Sequence, residues 1–176
     1  EALELRNVEI HKVALSNKRG REVINVPLKD GIFRSGNSSI EELTDKKYQE
    51  VQKVPIKSEI LDRYDYKKID FIKIDVEGHE LSVIEGGKNT IKRLKPLLLI
   101  EIEHRHLPPH LSVNDLFHYI TEMGYKGYFI DNNVISPINE FDLKRHQLQF
   151  IENGKIKLSN RKKSQVYINN FFFIPE

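Results

Sequence analysis

The stretch from Ile69 to Glu80 reads Ile-Asp-Phe-Ile-Lys-Ile-Asp-Val-Glu-Gly-His-Glu and sets Lys73, Asp75 and Glu77 at every second position. In an extended strand alternate side chains share a face, so these three charges fall on one side and crowd toward the carboxyl end. Ligands of open α/β sheets bind outside the carboxyl ends of strands, which makes Asp75 and Glu77 site candidates. The competing reading is a salt bridge between Lys73 and a carboxylate that caps the following helix. A second stretch repeats the pattern: the apolar Leu97 to Ile100 leads to Glu101 and Glu103, and His104, His106 and His110 follow. If the two strands are parallel neighbours, Asp75 and Glu101 come close together. Imidazole is a general base near neutral pH and a common metal ligand, although His106 and His110 read as solvated loop residues.

These groups need elements to position them. Phe71, Ile72, Ile74 and Val76 form the apolar run of a strand covered on both faces. Gly78 turns the chain. Leu81, Ile84, Ile91 and Leu94 then recur at helical spacing over 79–95, with Glu80 in the first turn, Lys92, Arg93 and Lys95 in the last, and Pro96 as the stop. Gly86 and Gly87 inside a helix cost roughly 1 kcal/mol each against alanine, so close packing against a sheet is expected there. Alternation predicts further strands at 8–15 and 21–28 and a short one after Val54, with the loop Gly31 to Ser39 and a poorly periodic stretch, 41–53, between them. Ser112 caps a helix with the face Val113, Leu116, Phe117 and Ile120. Tyr125 to Asp131 is a strand that turns at Asn132-Asn133 into a short return, Asn153-Gly154 marks a hairpin, and 166–174 is a closing strand. The expected fold class is α/β: one mostly parallel sheet of strands near 8–15, 69–76, 97–103, 125–131 and 166–174, with the last antiparallel.

With 176 residues, 39% hydrophobic and 31% charged, the chain suits a single domain. A net charge of +2 argues against nucleic acid as a partner, and Arg161-Lys-Lys163 reads as a solvated loop. The absence of cysteine excludes disulfides and thiolate metal sites, and fits a cytoplasmic protein. No apolar run is long enough for a membrane span.

The ordered series Ile69 to Glu80, Val83-Ile-Glu-Gly-Gly87, Lys92-Arg-Leu-Lys-Pro96 and Leu98-Leu-Ile-Glu-Ile102 resembles the FkbM-type methyltransferases. The resemblance implies a Rossmann-like methyltransferase sheet, S-adenosylmethionine as cofactor and transfer to hydroxyl oxygens. It implies cofactor-binding roles for Ala14, Leu15 and Ser16 beside the adenine, together with Asp75. It makes His104 a catalytic candidate, because the family carries Glu-x-His or Glu-x-x-His at this place. Glu101 and His79 are the candidates for contact with the acceptor, a small-molecule or glycan hydroxyl. The family's glycine-rich turn and the acidic residue after its second strand have no counterpart here. On that resemblance residues 1–176 are expected to be the C-terminal portion of a class I methyltransferase domain, with its first two strands, about 60 residues of βα units, outside them.

For methyl transfer, most of the acceleration comes from aligning acceptor oxygen, methyl carbon and sulfur. Asp75 is the first candidate to bind or deprotonate the acceptor, Lys73 to orient it, and Glu77, Glu101 and His104 to assist. A carboxylate of ordinary pKa, about 4, is a weak base, so a divalent metal that acidifies the hydroxyl is left open. Two other classes remain. Asp-x-Glu also opens the motif of two-metal exonucleases, although there a hairpin follows where a helix is expected here. The missing glycine turn also suits a non-catalytic interaction module on a degenerate methyltransferase fold.

Overall fold

The structure is a computed structural model that describes residues 6–29, 32–33, 38–41, 50–152, 155–157 and 165–176. It is a mixed α/β protein with two main sheets. The larger has five strands: β5 (Phe71–Ile74), β6 (Leu97–Glu101), β7 (Tyr125–Asp131), β8 (Val134–Pro137) and β11 (Asn170–Pro175), in the order β5-β6-β11-β7-β8. The smaller has four: β1 (Ala14–Leu15), β2 (Gly20–Lys29), β3 (Ile32–Phe33) and β4 (Glu50–Glu59), in the order β1-β4-β2-β3. A separate antiparallel pair, β9 (Ile151–Glu152) and β10 (Lys155–Ile156), matches the expected hairpin, whose turn residues Asn153 and Gly154 lie outside the described residues. Arg161 to Lys163 and much of the loop before Ser38 also lie outside them.

The premise of the site holds: β5 and β6 are neighbouring parallel strands, with Ile72 opposite Leu98 and Ile74 opposite Ile100. The strand β11 runs antiparallel between β6 and β7. Two expectations are corrected. The five-stranded sheet is mixed, with β5 and β6 as its parallel pair. The predicted strand over 8–15 shrinks to Ala14–Leu15 and belongs to the other sheet, where it runs parallel to β4. Val8 and Ile10 are exposed, so their alternation carried no burial to hold a strand. The reverse happens at β4. Its first six residues are exposed, so no apolar period announces them, yet they pair with β2 from Glu50 to Ser58.

The predicted helix after Gly78 is divided into α1 (Glu80–Gly86) and α2 (Lys88–Leu94) at Gly87. Val83, Ile84 and Ile91 are buried, and Lys95, in a left-handed conformation, ends α2 before Pro96. The close approach expected at the glycines is real. A Cβ on Gly86 would lie 1.9 Å from the carbonyl oxygen of Ser16. The helix α3 (Val113–Thr121) starts at Ser112 with a reciprocal capping box, in which the Asp115 N–H donates to Ser112 Oγ and the Ser112 N–H to the Asp115 carboxylate. It covers a core of Leu98, Ile100, Leu116, Ile120, Phe129, Phe171 and Phe173. Asn132 and Asn133, both at positive φ, make the tight β7–β8 turn. Among the described residues no helix is long and apolar enough to cross a membrane.

Candidate functional site

The carboxyl ends of β5 and β6 carry a continuous polar network. Lys73 Nζ lies 3.4 Å from Asp75 and 3.6 Å from Glu101, and so joins the two carboxylates that adjacent strands were expected to bring together. It also donates to the Asn170 side-chain oxygen at 3.4 Å. Asn169 Nδ2 donates to Glu101 at 2.7 Å and to Glu103 at 3.0 Å, carrying the network onto the next carboxylate. Burial pushes the Glu101 carboxyl above its ordinary range, and the charge of Asp75 adds to this while Lys73 opposes it. Burial also works against ionised Glu103, but its bond to Arg105 outweighs that and leaves the carboxyl below the ordinary range.

Glu77 joins this network through a residue that sequence pattern alone assigns to solvent. Its carboxylate pairs with His106 Nδ1, and the same nitrogen stands 4.0 Å from Glu103. The polypeptide turns sharply here, Glu77 at φ 51° and Gly78 at φ 101°. Left-handed backbone is uncommon for glutamate and is kept only where surroundings over-determine it. Those surroundings are visible: Ser39 Oγ donates to the Glu77 carbonyl at 2.7 Å, and a Cβ on Gly78 would lie 2.2 Å from the carbonyl oxygen of His106. A histidine five residues past a strand gives no periodic signal, so only the tertiary approach of the two loops shows what it does. His104 lies outside the network; its backbone N–H donates to Gln147, and its Nδ1 is buried without a partner.

His79 and Ser16 are joined to each other. His79 Nδ1 lies 2.7 Å from Glu41 and Nε2 lies 3.0 Å from Ser16 Oγ. An ionised carboxylate only accepts, so Nδ1–H donates to Glu41, and with the ring neutral the Ser16 hydroxyl donates to Nε2. The bond to His79 holds the Glu41 carboxyl below its ordinary range. The order serine, histidine, glutamate is that of a nucleophilic triad, but Ser16 is 1% exposed and no substrate carbonyl can reach it. These bonds tie β1 to the start of α1. Glu80, next in sequence, is also buried; its Oε1 accepts from the Gly78 N–H, its Oε2 is unpartnered, and burial pushes its carboxyl up.

Between the two sheets lies an open apolar cleft of about 800 Å³. Val13, Ala14 and Leu15 form one wall and Ile72, Ile74 and Val76 another, with Lys73, Asp75, Ser38, Ser39 and His79 as its polar lining. Of the cofactor-binding candidates, Ala14, Leu15 and Asp75 line the cleft, while Ser16 stands behind it on His79. An apolar wall with one carboxylate offers a surface for a planar ring and an acceptor for hydroxyl donors. Among the described residues no group of three or more histidine, aspartate or glutamate side chains is placed to hold a metal ion.

Compared with known families, residues 2–126 match the methyltransferase FkbM domain. No curated protein and no solved structure matches the chain.

Proposed function

The chain belongs to the FkbM methyltransferase domain family, and from that membership we propose that it transfers the methyl group of S-adenosylmethionine to a hydroxyl oxygen of a sugar or other small-molecule acceptor. The observation that carries this reading is Asp75 itself. It lines the apolar cleft and is also paired through Lys73 with Glu101 at the end of the next parallel strand. A group in that position faces the cofactor on one side and an acceptor on the other. Ala14, Leu15 and Asp75 would hold the nucleoside, and the cofactor supplies an electrophilic methyl group on a sulfonium. Asp75 accepts a hydrogen bond from a donor group of the acceptor beside the reacting oxygen, and Lys73 fixes the carboxylate's direction. Glu101, whose proton affinity is raised, faces the same lysine.

The reading also takes the chain as the later part of a Rossmann-like domain. Two features support it: β11 is inserted antiparallel between β6 and β7, and β1 and β5 each line the cleft while lacking a strand partner on one edge among the described residues.

Replacement of Asp75 tests the function. In the intact protein, Asp75→Asn keeps the shape and removes the charge that orients the acceptor, and S-adenosylhomocysteine release should fall about 10²-fold with the melting temperature unchanged. The assay uses S-adenosylmethionine with a panel of monosaccharides, methyl glycosides and hydroxylated aromatic compounds. Turnover by Asp75→Asn close to that of the wild type would remove Asp75 from the mechanism.

A further inference from the structure

Resting on the methyltransferase reading and extending it, we propose that His106, held by Glu77, is the base that takes the proton from the acceptor hydroxyl. The geometry has three parts. First, the Glu77 carboxylate lies against Nδ1 and Glu103 stands 4.0 Å from the same nitrogen. A carboxylate accepts only, so the proton of the neutral ring is on Nδ1 and the lone pair is on Nε2. Second, the ring's ion pairs are both made through Nδ1, no hydrogen bond joins Nε2 to another described residue, and the side chain is 22% exposed. Third, the pair is rigid. Glu77 is fixed in left-handed backbone by Ser39, Gly78 is packed on the His106 carbonyl, and Glu103 is fixed by Arg105 and Asn169. A carboxylate that holds an imidazole in one tautomer and leaves its other nitrogen basic is the arrangement of a His–carboxylate general base.

The division of labour follows from chemistry. A carboxylate is a poor proton acceptor for a hydroxyl, whereas imidazole is the side chain most often used as a general base around neutral pH. Asp75 and Lys73 therefore orient the acceptor. In the transfer step the acceptor O–H proton passes to Nε2, the oxygen lone pair forms the new O–C bond to the sulfonium methyl group, and the C–S bonding pair stays on sulfur. The products are the methyl ether, a neutral thioether and imidazolium. Glu77 and Glu103 face that cation, with Arg105 beside Glu103 and Glu80 nearby on α1. Glu77 is a positioning residue, since it acts through the ring.

The test has a spectroscopic and a kinetic arm, both on the intact protein. Long-range ¹H–¹⁵N spectra of the wild type at pH 8 should show His106 as the Nδ1–H tautomer; an Nε2–H tautomer overturns the proposal and leaves the methyltransferase reading standing. With S-adenosylmethionine and the hydroxyl panel above, His106→Ala should lose about 10²-fold to 10⁴-fold in kcat with KM little changed. Added imidazole should restore part of the loss, which a structural role would not allow. His118→Gln, an exposed change on α3, should keep wild-type rates. Transfer by His106→Ala at the wild-type rate, or a loss that imidazole does not relieve in a folded variant, sinks the proposal alone. No transfer by the wild type to any member of the panel overturns the methyltransferase reading and this proposal with it.

Discussion

Replacing Gly86 by alanine sets two effects of opposite sign against each other. Position 86 closes α1, and alanine in a helix is favoured over glycine by roughly 1 kcal/mol. Helix propensity alone thus predicts a more stable protein. The packing says otherwise, because the added Cβ would lie 1.9 Å from the Ser16 carbonyl oxygen, 2.8 Å from its carbon and 3.2 Å from Asn17 Cα. Ordinary carbon–oxygen contacts are about 3.3 Å or more, so α1 and β1 must part by more than about 1 Å. All three neighbours are backbone, and no rotamer change relieves them. Overpacking of this kind costs typically about 1–3 kcal/mol, and here the top of that range applies, leaving a net loss of about 2 kcal/mol after the propensity gain. At 2–4 °C per kcal/mol for a chain of this size, the melting temperature should fall by about 4–8 °C. Gly87→Ala is the control: its Cβ meets Leu61 Cδ2 at 2.9 Å, the end of a side chain that can rotate away, and its loss should be smaller. Thermal melts and urea midpoints of both variants decide the matter. A Gly86→Ala protein as stable as the wild type would refute the claim that backbone contact fixes α1 on β1.

Calorimetric titration of S-adenosylmethionine into residues 1–176 should give no saturable heat below about 1 mM, a binding free energy weaker than about −4 kcal/mol, because the chain has no glycine-rich turn for the amino-acid end of the cofactor; micromolar affinity would relocate the site. The third prediction concerns pH. His146 is buried between Phe129 and Phe141, and its Nδ1 accepts from the Asp142 N–H at 3.0 Å. Burial, aided by Arg145, lowers its proton affinity against the pull of Asp131 and Asp142. Unfolded histidine binds protons near pH 6.5, so the unfolded state takes up the proton first and stability falls as pH drops below about 6.5. Urea midpoints at pH 7.5 and 5.5 should therefore differ more for the wild type than for His146→Gln, and equal differences would exclude His146 as the source.

What was legible in the sequence is what burial writes into it. The apolar runs at 71–74 and 97–101, each ending in carboxylates, fixed the adjacency of Asp75 and Glu101 because two-sided burial allows few other arrangements. Gly86 and Gly87 announced a close approach, and Ser112 its helix. Three features were not legible, for different reasons. The first six residues of β4 are exposed, so Glu50-Val-Gln-Lys53 leave no buried face to read although they pair with β2. Val8 and Ile10 alternate without being covered. His106 gains its partner only from the turn at Glu77, a contact between loops 29 residues apart in sequence that no local pattern encodes.

That turn links the two halves of the proposed site. Ser39 lines the cleft with its neighbour Ser38, and its backbone pairs with Asn25 of the four-stranded sheet, while its hydroxyl donates to the Glu77 carbonyl. The wall of the cleft and the residue that holds His106 therefore belong to one bonded unit. If Ser39 shifted away, the Glu77 carbonyl would lose its donor at the point where the backbone is already in an unfavourable conformation. A lost hydrogen bond of this kind costs about 1 kcal/mol and the strained residue a further 1–3 kcal/mol. Relaxation of Glu77 out of the left-handed region would swing its carboxylate off Nδ1 and free the ring to take the other tautomer. The proposed base would be in its working form only while the cleft wall is in place, so the position of Ser39 would bear on both the cleft and proton transfer.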